Sequence, residues 1–279
     1  MRSSKKYVDQ TLKLHQLTAN KALGQNFLVN EQIVDKIIGS SEISCDSTII
    51  EIGPGLGALT EKLVLKAKHV IAIEIDQNMC SILNESFADV QNLTIIHQDF
   101  LKLDLDDLFL KLKDEKEIII VSNLPYYITT QIINKIIYNR YPITSFIAMM
   151  QKEVGSKILN PSLKDLSPLH ILFNYTYQIS LVTHVSKNDY LPRPEIDSIV
   201  LKFKKIAPKY ELKDETLFYQ IVKDLFKNRR KTITNNLLPY FENKEVVISF
   251  LKQLNLSQDL RIEQLSLEQI ILISKSLGA

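Results

Sequence analysis

Glu51-Ile52-Gly53-Pro54-Gly55-Leu56-Gly57-Ala58 stands between a β-branched apolar run at 48–52 and a segment of helical period at 59–68. Glycines at a strand-to-helix turn let a ligand touch the backbone and the helix amino end. The spacing suits two cofactor classes, because Gly53, Gly55 and Ala58 also satisfy the relaxed G-x-G-x-x-G/A dinucleotide pattern. Outward from this loop, 69–75 reads as a strand, 78–87 as a helix, and 93–97 and 117–122 as strands separated by an acidic helical stretch. That alternation implies a parallel sheet covered by helices on both faces, since parallel neighbours need crossover connections. Residues 130–139 read as a helix, 145–151 as a fifth strand, and 177–186 with 198–205 as a closing antiparallel pair.

Each strand end carries a polar residue. Glu74 lies 21 residues after Gly53, where a carboxylate can accept hydrogen bonds from both hydroxyls of a ribose. Both cofactor readings share that acid, and a plain surface glutamate would look the same. Asp99 ends the next strand, in the place for an acid that reads an adenine amino group, which a dehydrogenase needs less. Together the loop, Glu74 and Asp99 favour S-adenosylmethionine over a nicotinamide dinucleotide. After the fourth strand comes Asn123-Leu124-Pro125-Tyr126-Tyr127. Alone, Asn-x-Pro is ordinary turn chemistry. Following the three preceding features, it matches the N-L-P-Y motif of amino-methyltransferases, including those that act on adenine. The exocyclic amine of adenine is a poor nucleophile because its lone pair is delocalised into the ring. The Asn123 amide oxygen and the Leu124 carbonyl would accept its two hydrogens and favour a pyramidal nitrogen, while Tyr126 stacks on the flipped base. Transfer then depends mainly on orientation, and no metal site is expected.

Composition sets the outer limits. The 279 residues are 45% hydrophobic and 24% charged, with 7 glycines and 9 prolines, which excludes long disordered or collagen-like stretches. No apolar run approaches the roughly 18 residues of a membrane span, so a soluble protein with no membrane partner is expected. Cys45 and Cys80 lack CxxC spacing, which argues against a disulfide framework or a zinc site and for a reducing, cytoplasmic setting. Lys plus Arg is 34 against 32 for Asp plus Glu, so distribution matters more than the total. Arg2, Lys5, Lys6, Lys13 and Lys21 face a single acid, Asp9, in a stretch without the apolar core of a secretory signal. It reads as a basic arm over 1–24. Lys223, Lys227, Arg229, Arg230 and Lys231 cluster against Asp224 alone. Separated basic segments on a near-neutral chain suit one nucleic-acid face, although a single charge run is also what a solvated helix face looks like.

Pro208 and the charged residues 209–215 mark a change in composition. Beyond them Leu217, Ile221 and Leu225, then Val247, Phe250, Leu251 and Leu254, recur at helical spacing, and Ser266 with Gln269 forms a capping-box pattern. The expected division is an arm over 1–24, a cofactor-binding domain over 25–207 and a small helical RNA-binding domain over 208–279.

The order of motifs resembles the small-subunit ribosomal RNA adenine dimethyltransferases of the KsgA type along almost the whole chain. The matching stretches are Leu23-Gly24-Gln25-Asn26-Phe27-Leu28, Glu51 to Gly57, Ile73-Glu74-Ile75-Asp76, Asp99 and Asn123 to Tyr126. Met150 to Val154, Pro194 to Ser198, Phe226 to Thr232 and Arg261 to Ser266 follow. The resemblance implies a class I methyltransferase fold, a Rossmann-like sheet of seven mostly parallel strands with an antiparallel closing strand, plus the helical domain. It implies that Asn26, Leu28, Gly53, Glu74, Asp99 and Asn123 contact S-adenosylmethionine or sit at its methyl, with Gly55 in the same loop. It also implies dimethylation of two adjacent adenosines near the 3′ end of the small-subunit (16S) RNA, in an immature 30S particle, by a monomer. Arg229, Arg230 and Lys231, read as lying on a helix, fit phosphate contact; Phe218 and Phe226 read as core. After Val154 the chain departs from the family pattern: Gly155-Ser156-Lys157 and a short loop at 160–165 lead directly to Leu166-Ser167. Two other functions stay open here. One is a 23S RNA methylase of the macrolide-resistance type, and the other a non-catalytic RNA-binding assembly factor with the same fold.

Overall fold

In the computed structural model, which describes residues 1–161, 166–207 and 211–278, the chain begins with a helix, α1 (Lys5–Leu14). A two-residue strand β1 (Phe27–Leu28) and helix α2 (Glu31–Ser40) follow. Strand β2 (Ser47–Ile52), the short α3 (Thr60–Leu63), β3 (His69–Glu74), α4 (Gln77–Ser86), β4 (Leu93–His97), α5 (Leu105–Lys111) and β5 (Glu117–Asn123) then alternate. After α6 (Thr129–Tyr138) come β6 (Ser145–Gln151), α7 (Lys152–Leu159), α8 (Pro168–Thr176), β7 (Tyr177–Val185), the two-residue β8 (Tyr190–Leu191) and β9 (Ser198–Lys205).

The sheet has seven strands in the order β4-β3-β2-β5-β6-β9-β7. Strands β4 to β6 pair in parallel, and β9 pairs antiparallel with β6 from Ser145↔Lys204 to Gln151↔Ser198. Its central strands are buried on both faces, which is why the middles of β5 and β6 read as apolar runs rather than alternating ones. At the edge, β4 is half-exposed and interleaves Thr94 and His97. Helices start where a side chain satisfies a free amide: Asn30, Asp76 and Asp104 each accept a backbone N–H of the helix they open, worth about 1 kcal/mol apiece. The helix expected over 59–68 is largely turns around α3, tightening where the Lys66 amide reaches only to the Leu63 carbonyl. Chain order reverses between β2 and β5, so the loops leaving them diverge and open a crevice at the strands' carboxyl ends.

The chain divides into two compact units, Met1–Leu159 with Gln178–Lys205, and Asn160–Tyr177 with Ile206–Ala279. This differs from the expected division in two ways. Residues 1–24 contain a docked helix rather than a free arm, because Val8 is fully buried in a cluster with Phe27, Leu56, Met79 and Ile82. The segment holding α8 belongs with the C-terminal helices, where Tyr175 packs on Phe218 at 4.7 Å between ring centroids. Those helices are α9 (Glu215–Lys227), α10 (Ile233–Leu237), α11 (Lys244–Gln253) and α12 (Leu267–Leu277), the last opened by the expected Ser266–Gln269 capping box. Phe218 and Phe226 are core residues of this unit. Residues 162–165 of the divergent loop and 208–210 of the composition change lie outside the described residues.

Candidate active site

An open cleft lies at the carboxyl ends of β2, β3, β4 and β5. Its walls include Asn26, Leu28, Gly53, Gly55, Glu74, Asp99 and Asn123 to Tyr126, all within the first unit. The cleft thus gathers every residue expected at the cofactor or the reacting base. Arg229, Arg230 and Lys231 lie in the other unit.

The glycine loop is shaped from behind. Gly53 and Gly55 adopt φ of +68° and +57°, and a Cβ on Gly55 would meet the Phe27 ring at 3.2 Å. Their amides are committed internally: Gly53 donates to the Ile73 carbonyl at 2.9 Å and Gly55 to Glu74 Oε2 at 3.1 Å. Gly57 donates to the Pro54 carbonyl at 2.9 Å, and Pro54 has no amide hydrogen. The amides of these three glycines are thus spent within the protein rather than offered to a pyrophosphate, unlike those of the dinucleotide loops that share the spacing.

Carboxylates dominate instead. Glu74 Oε1 accepts the amides of Ile75 and Asp76 at 2.9 and 3.0 Å; burial pushes its pKa up, and these backbone donors oppose the shift. Glu51, fully buried one strand away, accepts the Thr60 hydroxyl at 2.6 Å, and desolvation raises its carboxyl to about 8. Burial thus favours the neutral form of Glu51, and Glu74 and Asp99 are the other two acids of the cleft wall.

Asn123 ends β5 with its amide oriented by the N-terminal loop. Nδ2 donates to the Asn26 carbonyl at 3.3 Å, while Oδ1 is buried with no hydrogen-bond partner. Because the amide is planar, committing the nitrogen to one side leaves the oxygen on the other. An orphaned buried acceptor costs about 1–3 kcal/mol, so it invites a donor. Asn26 Nδ2 in turn holds the Gly24 carbonyl at 3.0 Å. Leu124 is buried and its amide donates to the Met149 carbonyl at 3.0 Å. Tyr126 is half-buried, its hydroxyl 2.6 Å from Ser198 Oγ.

Several cleft features carried no sequence signal. Arg2 and Val8 of the N-terminal segment reach the cleft wall, and the Arg2 guanidinium sits 4.2 Å over the Phe87 ring. Lys135 on α6 donates to the carbonyls of Phe100, Leu101 and Leu103 at 3.0, 2.8 and 2.6 Å, pinning the turn after Asp99. Tyr127, 46% exposed, lies over Gly24. Gln25, quoted only as part of a motif, donates through Nε2 to Asp76 at 2.7 Å.

The basic cluster differs from its expected setting. Helix α9 ends at Lys227, so Arg229, Arg230 and Lys231 occupy the turn beyond it. Arg229 is ion-paired with Glu263 at 2.7 Å, whereas Arg230 and Lys231 are exposed.

Comparison with known proteins places this architecture. The family described as ribosomal RNA adenine dimethylase matches residues 16–278. The chain is 38% identical over 264 residues to the ribosomal RNA small subunit methyltransferase A of Bacillus mycoides (strain KBAB4), covering 92% of this chain and 90% of that one. The same values hold for the protein of that name from Bacillus cereus (strain AH187). Among solved structures, a dimethyladenosine transferase from Plasmodium falciparum superposes with TM-score 0.72 at 24% identity, over 89% of this chain and 97% of that one. The 23S rRNA methyltransferase ErmE gives 0.66 at 23%, over 91% and 100%; these two likenesses speak to the fold. With the match spanning nearly its whole length, the chain belongs to the ribosomal RNA adenine dimethylase family.

Proposed function

We propose that this protein dimethylates N6 of two adjacent adenosines near the 3′ end of small-subunit (16S) RNA, acting as a monomer on an immature 30S particle in the cytoplasm, where ribosomal subunits are assembled. The methyl donor is S-adenosylmethionine, which supplies a methyl carbon activated by a positive sulfur. In this reading Glu74 holds the ribose hydroxyls of the donor, Asp99 its adenine amine, and the Gly53–Gly55 turn and Leu28 its remaining surface, with Asn26 aligning Asn123. The observation that carries the reading is the Asn123 amide: one side tied to the Asn26 carbonyl, the other an unpartnered buried oxygen in the cleft wall.

That oxygen accepts one amino hydrogen of an extruded adenine and the Leu124 carbonyl accepts the second, so the nitrogen lone pair turns out of the ring plane toward the methyl carbon. Tyr126 supplies the face on which the base rests, and base–aromatic stacking of this kind is worth about 1–3 kcal/mol. The chemistry is then governed by orientation. Arg230 and Lys231 bind phosphate in the flanking RNA, within a C-terminal helical RNA-binding domain.

The test is mass mapping of methylated nucleotides after incubation with small subunits from cells lacking the modification. Dimethyladenosine at two neighbouring positions of the small-subunit RNA is expected. Methylation confined to large-subunit RNA would transfer the assignment to the 23S-type enzymes, and RNA binding without transfer would point to an assembly factor.

A further inference from the structure

Behind the Asn123–Tyr126 motif lies a cluster of hydroxyls that this account of the reaction leaves unused. Ser198, fully buried at the first position of β9, sits 2.6 Å from the Tyr126 hydroxyl. Tyr190, 2% exposed on β8, donates its hydroxyl to the Met149 sulfur at 3.0 Å. A thioether sulfur only accepts, so Tyr190 spends its single proton there.

The backbone fixes where this cluster stands. Gln151 pairs with Ser198 across β6 and β9, and Met149 pairs with Asn123 across β6 and β5. Tyr190 is held by pairing with Leu28 of β1, in the same loop region that orients Asn123. A buried hydroxyl cluster with satisfied bonds is stiff, and each bond has a direction. A phenol without it would keep its ring but lose the restraint on the ring's tilt.

We propose that Ser198 is a positioning residue for transfer: by bonding the Tyr126 hydroxyl from behind, it sets the plane on which the target adenine rests, and Tyr126 acts as an anchored platform. The proposal rests on the reading of Tyr126 as that platform.

Steady-state transfer on small subunits, with kcat and KM separated, tests it in Tyr126→Phe, Ser198→Ala and their double variant, each checked for folding by thermal melting. Each single change is expected to lower kcat by about tenfold, the scale of lost alignment, with donor and RNA affinities within about twofold. The double variant is expected to lose no more than either single one. A parental kcat in Tyr126→Phe, or a double loss equal to the product of the two singles, overturns the proposal. Should Ser198→Ala fail to fold, Ser198→Cys, which keeps the volume but is a weak hydrogen-bond partner, replaces it in the same cycle. Tyr126→Ala separates the two ideas: if it collapses transfer while Tyr126→Phe is parental, only the positioning role falls; if Tyr126→Ala is itself parental, the platform reading falls.

Discussion

In the proposed reaction Asn123 holds the nucleophile, and its Nδ2 bond to the Asn26 carbonyl leaves Oδ1 as the acceptor for it. Replacing it with alanine removes the unpartnered acceptor while leaving the fold of β5 intact. Transfer in Asn123→Ala is expected to fall by about 10²–10³, the range for deleting a preorganised polar contact at a reacting centre. Binding of RNA, measured by gel shift, should change little. Glu51 offers a second test at this scale. An acid whose carboxyl is raised to about 8 in the folded state contributes stability fully present below its unfolded value near 4.5 and lost as pH rises through about 8. Glu51→Gln keeps an acceptor for Thr60 without the ionisation, so the gap in melting temperature between parent and variant should shift in favour of the variant from pH 5 to pH 8.5. A gap that stays constant across that window would mean Glu51 is charged in the folded protein.

Among the elements, α7 and β9 pack so closely that a Cβ at Gly155 would come within 2.2 Å of the Ile199 Cγ2 methyl. That atom sits on a stiff β-branched side chain 1% exposed. Gly155→Ala should therefore destabilise the protein by about 1–3 kcal/mol, seen as a lower denaturation midpoint. The central strands were readable because burial on both faces makes the middles of β5 (118–121) and β6 (146–150) wholly apolar. The strand-end residues were readable because a glycine loop, Glu74, Asp99 and Asn123 recur after successive strands. The anchoring of Tyr126 was not: Ser198 is 72 residues away, and a serine opening a strand carries no mark of the phenols it will meet. Nor was the docking of α1, which rests chiefly on Val8 and Thr11 between Lys5, Lys6, Asp9 and Lys13.

For the molecule as a whole, charge distribution bears on the proposed RNA contact: Arg229 is ion-paired with Glu263, whereas Arg230 and Lys231 are exposed in the turn after α9 and are the residues proposed to meet phosphate. Exchanging both for glutamate should weaken RNA binding and flatten the slope of log affinity against log salt by about 1.5, from two lost phosphate contacts. Melting temperature should be unaffected, because both side chains are exposed. The clustering of lysine and arginine was legible in the text, but not which of them were already paired, since Glu263 follows 34 residues later.

The strand order has a consequence for synthesis. Strand β9 fits between β6 and β7, so a growing chain presents the edge of β6, an almost wholly buried run from Ser145 to Gln151, until residue 205 has left the ribosome. An unpaired apolar edge recruits any strand within reach. Polypeptides interrupted between 152 and 197 should accumulate as aggregates, whereas those extending past 205 should stay dispersed, a difference that sedimentation of stalled translation products would display.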